Sequence, residues 1–158
     1  MKSLKIWSLA VVLLMAMVGC KPTPGPGPGP GPEQMGGFDA IEKEWKLISV
    51  NGVANEFHVY ISFEEGNFAL FQQLYTLDFK LFDGTYKVSG NKLTGEYFEG
   101  GAWKCGYTGG ISEDGNTMTL ISDDDQAVKC IYEACTIPDE VRNEAVNGTR
   151  SVEVVPFL

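Results

Sequence analysis

The stretch GTYKVSGNKLTGEY, residues 84–97, contains two strand-like segments joined by the pair Gly90-Asn91. Tyr86 alternates with polar neighbours before the pair, and Leu93 does so after it. Glycine and asparagine tolerate the positive φ angles that tight hairpins require. The stretch therefore predicts a β-hairpin with one apolar face and one wet face.

Two further Gly-Asn pairs, at 66–67 and 115–116, lie 24 residues before and 25 residues after the first. A chain that reverses about every ten residues is a meander. Because nearly every segment has one apolar and one wet face, the pattern predicts an antiparallel all-β barrel or sandwich closed around one interior. We expect eight strands, or nine if residues 75–82 form a strand of their own. Other predicted turns are Asn51-Gly52, Asp83-Gly84, Gly100-Gly101 and Asp123–Asp125.

The apolar faces predict which side chains share the interior, and alternation of Trp103, Cys105 and Tyr107 extends one strand back to residue 103. Aromatic rings with hydroxyl or indole groups suit a pocket for a small apolar or amphipathic molecule. A core packed without ligand has the same pattern, so both interpretations stay open. The candidate lumen residues are Val59, Ile61, Tyr86, Leu93, Tyr97, Trp103, Tyr107, Met118, Leu120 and Tyr132.

Shorter elements are predicted on both flanks of the strands. Residues 38–44 predict one helical turn with Asp39 as its cap. Pro138 near the start of a first turn predicts a helix, which we expect to end at Gly148. Residues 151–157 predict a short final strand.

The N-terminus has the features of a secretory signal: a basic start, a short apolar core over residues 6–18 and a small residue before Cys20. The segment Met17–Cys20 resembles the lipobox of bacterial lipoproteins, which implies cleavage after residue 19 and acylation of Cys20. An uncleaved anchor helix and an ordinary secretory signal are the alternatives.

Residues 20–36 follow as a tether, because the alternating Gly-Pro run at 25–32 can form neither helix nor ladder. Glycine recurs every second residue there, which excludes a collagen helix. We therefore divide the chain into a signal peptide (1–19), a lipidated tether (20–36) and one folded domain (37–158). About 120 residues suffice for a single modest core.

The charge of the chain restricts its partners. Without the signal peptide the chain has 10 basic and 21 acidic residues, a net charge of −11. Nucleic acids and anionic lipid headgroups both require a cationic surface. We expect neither to bind the folded domain, and the bilayer to be contacted through acylated Cys20.

Candidate catalytic and metal-binding residues are few. His58, the one histidine, is predicted on the wet face of a strand without an orienting partner. The acidic run Asp123–Asp125 lacks the regular ligand spacing of a calcium loop and predicts a polar hairpin. No Ser-His-Asp arrangement, phosphate-binding glycine loop or spaced carboxylate pair is present. We expect no catalytic residue, no metal and no cofactor.

Three cysteines remain once Cys20 carries lipid, so they cannot all pair within one chain. Cys105 and Cys130 are predicted two strands apart, about 9–10 Å between Cα atoms, which exceeds the roughly 5.5 Å of a disulfide. Cys130 and Cys135 have the odd spacing that points to opposite faces. The sequence predicts buried free thiols.

Three segments resemble the lipocalin-like lipoproteins of Gram-negative bacteria: 44–47 (EWKL), 84–97 and 110–120 (GISEDGNTMTL), with the ending IPDEV at 137–141. The resemblance implies a calycin-type, eight-stranded up-and-down barrel followed by a helix and a short strand. In lipocalins proper a Gly-x-Trp motif opens the first strand, and an arginine late in the barrel stacks on the Trp. Here Lys43 replaces that glycine, and the last barrel strand offers Lys129 rather than an arginine.

These observations predict an acylated lipoprotein of a Gram-negative outer membrane, on either its periplasmic or its surface face, whose lumen binds a small apolar or amphipathic ligand. The alternative is an accessory subunit or inhibitor that keeps a solid core and docks on another cell-envelope protein.

Overall fold

Alternating β-branched, aromatic and polar residues form strands through most of the chain. The structure, a computed structural model, describes residues 35–147 and 155–158. The predicted signal, Cys20 and nearly all of the tether lie outside these residues. The elements are β1 (Glu44–Val50), β2 (Val53–Ala54), β3 (His58–Glu64), β4 (Asn67–Gln73), β5 (Lys80–Ser89), β6 (Lys92–Tyr97), β7 (Gly101–Ala102), β8 (Tyr107–Ile111), β9 (Thr117–Ser122), β10 (Lys129–Cys135), α1 (Asp139–Glu144) and β11 (Val146–Asn147).

The eight longer strands form a closed antiparallel ring. Each pairs with its neighbours in chain order, from β1 through β3, β4, β5, β6, β8 and β9 to β10. The ring closes where β10 pairs with β1, for example Trp45 opposite Ala134. The predicted eight-stranded up-and-down barrel is confirmed, with β2 and β7 as two-residue additions.

The predicted Gly-Asn hairpins are confirmed at one end of the barrel. Gly66, Gly90 and Gly115 all have positive φ, between 61° and 78°. These tight turns define the hairpin end. The opposite end, here called the long-loop end, is formed by the loops 51–57, 74–79, 98–106 and 123–128.

The predicted turn at Asp83-Gly84 is wrong, because both residues lie inside β5. Gly84 is opposite Tyr97 in the ladder, and a Cβ on it would lie 2.0 Å from the carbonyl oxygen of Glu96. Glycine is therefore required here because two strands approach closely, and not because the chain turns.

Residues 75–82 do not form a ninth strand. Tyr75 has positive φ (56°) within the loop 74–79, and β5 begins only at Lys80. Leu77, predicted to share a face with Phe79 and Leu81, is 95% exposed. The alternation here therefore spans a loop and the start of a strand.

A folded N-terminal segment covers the hairpin end. Phe38 and Ile41 are buried there, and the Ile41 amide donates to the Phe38 carbonyl over 3.1 Å. Main-chain bonds from Phe38 to Gly90 and from Gly36 to Ile111 attach the segment to the barrel. The predicted helical turn is replaced by a single tight turn that contains Asp39.

Helix α1 packs on the outside of the barrel. Ile137 and Val141 form a second apolar cluster with Tyr60 and Phe71 of the outer sheet face. The predicted helix is confirmed, but it ends at Glu144 instead of Gly148, because Ala145 is extended and the chain enters β11. None of the helices in the described residues is long and apolar enough to cross a membrane.

Glu44 of β1 connects this helix to the barrel. Its carboxylate accepts a hydrogen bond from the Ile137 amide and forms an ion pair with Arg142. The Arg142 guanidinium also lies 5.7 Å from the centre of the Phe71 ring. One carboxylate therefore fixes both the start and the middle of α1.

We expect Glu44→Ala to lower the free energy of unfolding by about 1–2 kcal/mol, because a charged acceptor is removed from a half-buried amide. Urea titration measures this, with Glu64→Ala, at an exposed carboxylate of β3, as the control. Equal effects of the two substitutions would contradict the anchoring role.

The chain after α1 departs from the predicted final strand. Strand β11 pairs in parallel with Lys80 and Leu81 at the start of β5. The pairing of β6 with β5 begins only at Gly84, so these two residues are not paired with β6. Residues 155–158 are irregular, and residues 151–154 lie outside the described part of the chain. The prediction of a strand over 151–157 is therefore wrong for its last three residues.

Candidate ligand-binding site

The predicted lumen residues share one core. Nine of the ten candidates are buried in it, and Tyr86 is half-buried at its margin, 3.3 Å from Glu42 through its hydroxyl. Alternation along the strands therefore identified the interior face correctly, while the ligand role of these residues stays a prediction. Interior side chains outside the candidate list are Trp45, Leu47, Phe63, Phe68, Leu70, Gln72, Phe82 and Cys130.

Trp103 reaches the interior from a loop and not from a strand. Residues 103–106 are irregular, and β8 begins only at Tyr107, so the strand predicted from residue 103 is wrong. The Trp103 amide donates to the Gly95 carbonyl over 2.9 Å. A Cβ on Gly95 would lie 2.2 Å from the indole, so this glycine provides the space for the ring.

Aromatic rings from β4, β6 and the loop 98–106 meet edge to face in the core. The Phe68 ring centre lies 5.4 Å from that of Tyr97 and 5.0 Å from that of Trp103. Tyr107 extends the cluster at 6.0 Å from Trp103. Such pairs hold rings in fixed orientations, so the polar tips of these side chains have defined positions.

The interior also holds phenols and thiols. Burial raises the pKa of Tyr97 and Tyr107 well above the usual range, and the adjoining Cys105 thiol adds to the effect at Tyr107. Burial likewise raises the pKa of Cys130 to about 11. These groups are therefore neutral hydrogen-bonding groups at physiological pH, unsuited to act as thiolate or phenolate nucleophiles.

Within residues 35–147 and 155–158, two interior polar atoms have no hydrogen-bond partner: the Tyr132 hydroxyl and the Trp103 indole N–H. Tyr132 is fully buried in β10, and Trp103 is 5% exposed. Burial of an unpaired polar group costs about 1–3 kcal/mol. The site thus presents two donors to whatever acceptor reaches them.

A short segment of the same chain lies at the long-loop end. Gln72 of β4 bonds to the main chain of Val155 and of Phe157, and the Tyr97 hydroxyl donates to the Leu158 carbonyl over 2.9 Å. Leu158 is 3% exposed and belongs to the core. Sequence reasoning did not identify Gln72, although Phe68, Leu70 and Gln72 follow one another at a spacing of two, which marks an inward position.

Comparison with solved structures supports this description of the fold. A lipocalin-like protein from Bacteroides uniformis is similar with a TM-score of 0.50 at 15% identity, covering 61% of this chain and 99% of that chain. The domain is lipocalin-like. An uncharacterized protein from Bacteroides eggerthii has a TM-score of 0.48 at 12% identity, covering 60% of this chain and 99% of that one. No family model and no curated protein matches the sequence.

The lipocalin-like barrel has its own arrangement around Trp45. The indole is fully buried, and its N–H donates to the Ile41 carbonyl over 2.9 Å. The Lys43 ammonium lies 5.9 Å from the ring centre and donates to the Gly115 carbonyl over 2.8 Å. Lys43, which stands where lipocalins proper have glycine, thus places a cation near the tryptophan.

The other candidate groups lie apart from the lumen. His58 is exposed on the outer face, with Phe79 as an aromatic neighbour at 6.3 Å. Asp123 accepts hydrogen bonds from Thr108 and Lys92, and Asp125 accepts one from the Ala127 amide. Across residues 35–147 and 155–158, no three His, Cys, Asp or Glu side chains form a metal-binding group.

The cysteines after residue 100 are free thiols, as the spacing predicts. Cys130 is buried, whereas Cys105 and Cys135 are half-buried. The Cys105 sulfur lies 3.3 Å from the Ser122 hydroxyl, while Cys135 packs on the outer face near α1. Of these three cysteines, Cys105 and Cys130 therefore belong to the lumen.

The described residues form concavities on the exterior of the lipocalin-like barrel. One of about 200 Å³ lies over the outer faces of β5 and β6, and one of about 280 Å³ crosses β3, β4 and β5 beside Phe98. Their linings are largely polar or charged. Three exposed apolar side chains, Val53, Tyr75 and Leu77, lie at the long-loop end, whereas Phe98 is exposed beside the second concavity.

Proposed function

We propose that this protein is a non-enzymatic binding module whose lumen takes a small amphipathic molecule. The observation that carries the proposal is the pair of buried donors on Tyr132 and Trp103 that find no partner in the described part of the chain, within a largely apolar interior. A few precisely placed polar groups among aromatic walls are what orient a small ligand. The ligand therefore combines an apolar body with an acceptor oxygen.

The proposal includes a location. The basic and apolar N-terminus, the lipobox-like Met17–Cys20 and the Gly-Pro run support an acylated chain tethered to a Gram-negative outer membrane. Acyl chains contribute about 0.8 kcal/mol per buried methylene, so the domain needs no membrane-binding surface of its own.

A second function is favoured by one observation. Tyr75 and Leu77 are more than 90% exposed in the same loop, and Val53 is exposed in the loop 51–57 at the same end. Exposed apolar groups that share one end of a domain are typical of a protein-binding surface. Docking on another envelope protein through these loops is the alternative to ligand binding.

Native mass spectrometry of the protein purified from its own host separates the two. A co-purifying small molecule supports the binding module, and a co-purifying protein supports docking. If neither a small molecule nor a protein is bound to more than one tenth of the purified protein, both proposals are contradicted.

Substitution of Tyr132 by phenylalanine tests the carrying observation. Because the hydroxyl has no partner, we expect Tyr132→Phe to leave the free energy of unfolding unchanged or to raise it by about 1 kcal/mol. The fraction of protein that carries the co-purified molecule should fall at least tenfold. Tyr60→Phe, on the outer face of the barrel, is the matched control and should leave that fraction unchanged. Undiminished occupancy in Tyr132→Phe would show that the hydroxyl does not contact the ligand.

A further inference from the structure

Gln72 is an unusual residue for its position. It follows Phe68 and Leu70 on the inward face of β4, and its side chain is 0% exposed. Burial of a carboxamide among apolar groups is unfavourable unless its polar atoms are bonded. The partners of Gln72 therefore indicate what this position recognises.

Both ends of the carboxamide bond to one short stretch of main chain. Its Nε2 donates to the Val155 carbonyl over 2.9 Å, and the Phe157 amide donates to its Oε1 over 2.7 Å. These two groups flank Pro156, as they do when an extended strand presents a carbonyl and an amide to one neighbour. Pro156 has no N–H of its own, so no main-chain donor of that residue needs a partner.

A second side chain continues the same mode of contact. The Tyr97 hydroxyl donates to the Leu158 carbonyl over 2.9 Å, and Tyr97 is itself 7% exposed. The Leu158 side chain is buried in the core, whereas the Val155 side chain is 74% exposed. The barrel thus contacts three main-chain groups of the segment and two of its apolar side chains, those of Phe157 and Leu158.

We infer that the long-loop end is a binding site for extended peptide main chain, which residues 155–158 occupy in cis. Gln72 and Tyr97 bind the backbone of the peptide. An apolar pocket holds the side chain at the position of Leu158, three residues after the bonded carbonyl of Val155. The ligand class is therefore an extended peptide with a large apolar residue at its fourth position. Tyr97 is also a candidate lumen residue, but this inference rests on its bond to Leu158 and not on a lumen ligand.

The cis segment competes with any peptide from another molecule. A segment of the same chain reaches its site at an effective concentration of the order of millimolar. Free peptide therefore binds only after the cis segment is weakened or released. Leu158→Asp weakens the segment, because a carboxylate enters an apolar pocket, and leaves Gln72 and Tyr97 intact.

Fluorescence anisotropy of the full chain in lipid nanodiscs tests the inference, with fluorescein-labelled Val-Pro-Phe-Leu as the probe and empty nanodiscs as the blank. We expect the Leu158→Asp chain to bind this peptide at least tenfold more tightly than the parent chain. Adding Gln72→Leu to that chain should abolish the gain. A Val-Pro-Phe-Asp peptide is the matched control and should not bind.

Hydrogen exchange of the parent chain provides an independent reading, since Leu158→Asp could fail to fold. We expect the Phe157 amide to exchange at least tenfold faster than the amide of Leu120 in β9, and faster again in Gln72→Leu. Equal exchange rates for Phe157 and Leu120 would show that the segment leaves only when the whole barrel unfolds, which overturns the inference. A folded Leu158→Asp chain that does not bind the peptide overturns it equally.

Discussion

Gly84→Ala is expected to lower the free energy of unfolding by about 3 kcal/mol, since overpacking against rigid structure costs about 1–3 kcal/mol or more. The added Cβ would lie 2.0 Å from the Glu96 carbonyl oxygen and 2.8 Å from the Tyr97 Cα. Both are main-chain atoms of the paired strand β6, so no side-chain rotation relieves the contact. The β5–β6 ladder must separate at this point.

Urea titration of Gly84→Ala measures the loss. Gly36→Ala is the matched control, because the nearest atom to its Cβ, the Ile111 carbonyl oxygen, is 3.4 Å away, an ordinary contact. The control should change stability by less than about 0.5 kcal/mol. A Gly84→Ala protein as stable as the control would mean that β5 and β6 do not approach as closely as described.

Alkaline unfolding is the second large effect that we expect. Burial raises the pKa of Tyr97, Tyr107 and Tyr132, and raises the pKa of Cys130 to about 11. The unfolded chain releases these protons near pH 9–10, whereas the folded barrel retains them. Stability is therefore fully present below about pH 9 and falls as the pH rises, by up to about 1.4 kcal/mol per pH unit for each group.

The free energy of unfolding between pH 8 and pH 11.5, from urea titrations monitored by circular dichroism, measures this fall. Cys130→Ala should make the fall of the free energy of unfolding with pH less steep between pH 9 and pH 11, by the equivalent of up to one proton. Tyr107→Phe should make the fall less steep above pH 10. A free energy of unfolding that stays constant up to pH 11.5 would contradict the burial of these groups.

Hairpin turns were predictable because their signal is local. Gly66, Gly90 and Gly115 have positive φ, so glycine in each Gly-Asn pair marks a real turn. The pair Asp83-Gly84 carries an equally strong turn signal. Its glycine instead permits close contact with β6, where it lies opposite Tyr97, thirteen residues further along the chain. Local sequence does not distinguish a glycine that turns from one that permits close approach.

The interior face was predictable from period-two alternation, but its polar details were not. Trp103 arrives from a loop, so strand periodicity placed its ring correctly for the wrong reason. The contacts of Gln72 with Val155 and Phe157 join residues 83 and 85 positions apart. No local pattern reports such contacts. The strand predicted over residues 151–157 is irregular at residues 155–157, where the main chain bonds to Gln72.

Strand β11 has a consequence for the association of this chain with other copies. Lys80 and Leu81 extend beyond the pairing of β5 with β6, and β11 takes up their free backbone groups. An unpaired stretch of ladder is a template on which another polypeptide can add a strand and begin to aggregate. Two residues, Val146 and Asn147, thus cover this part of β5 and protect it from self-association.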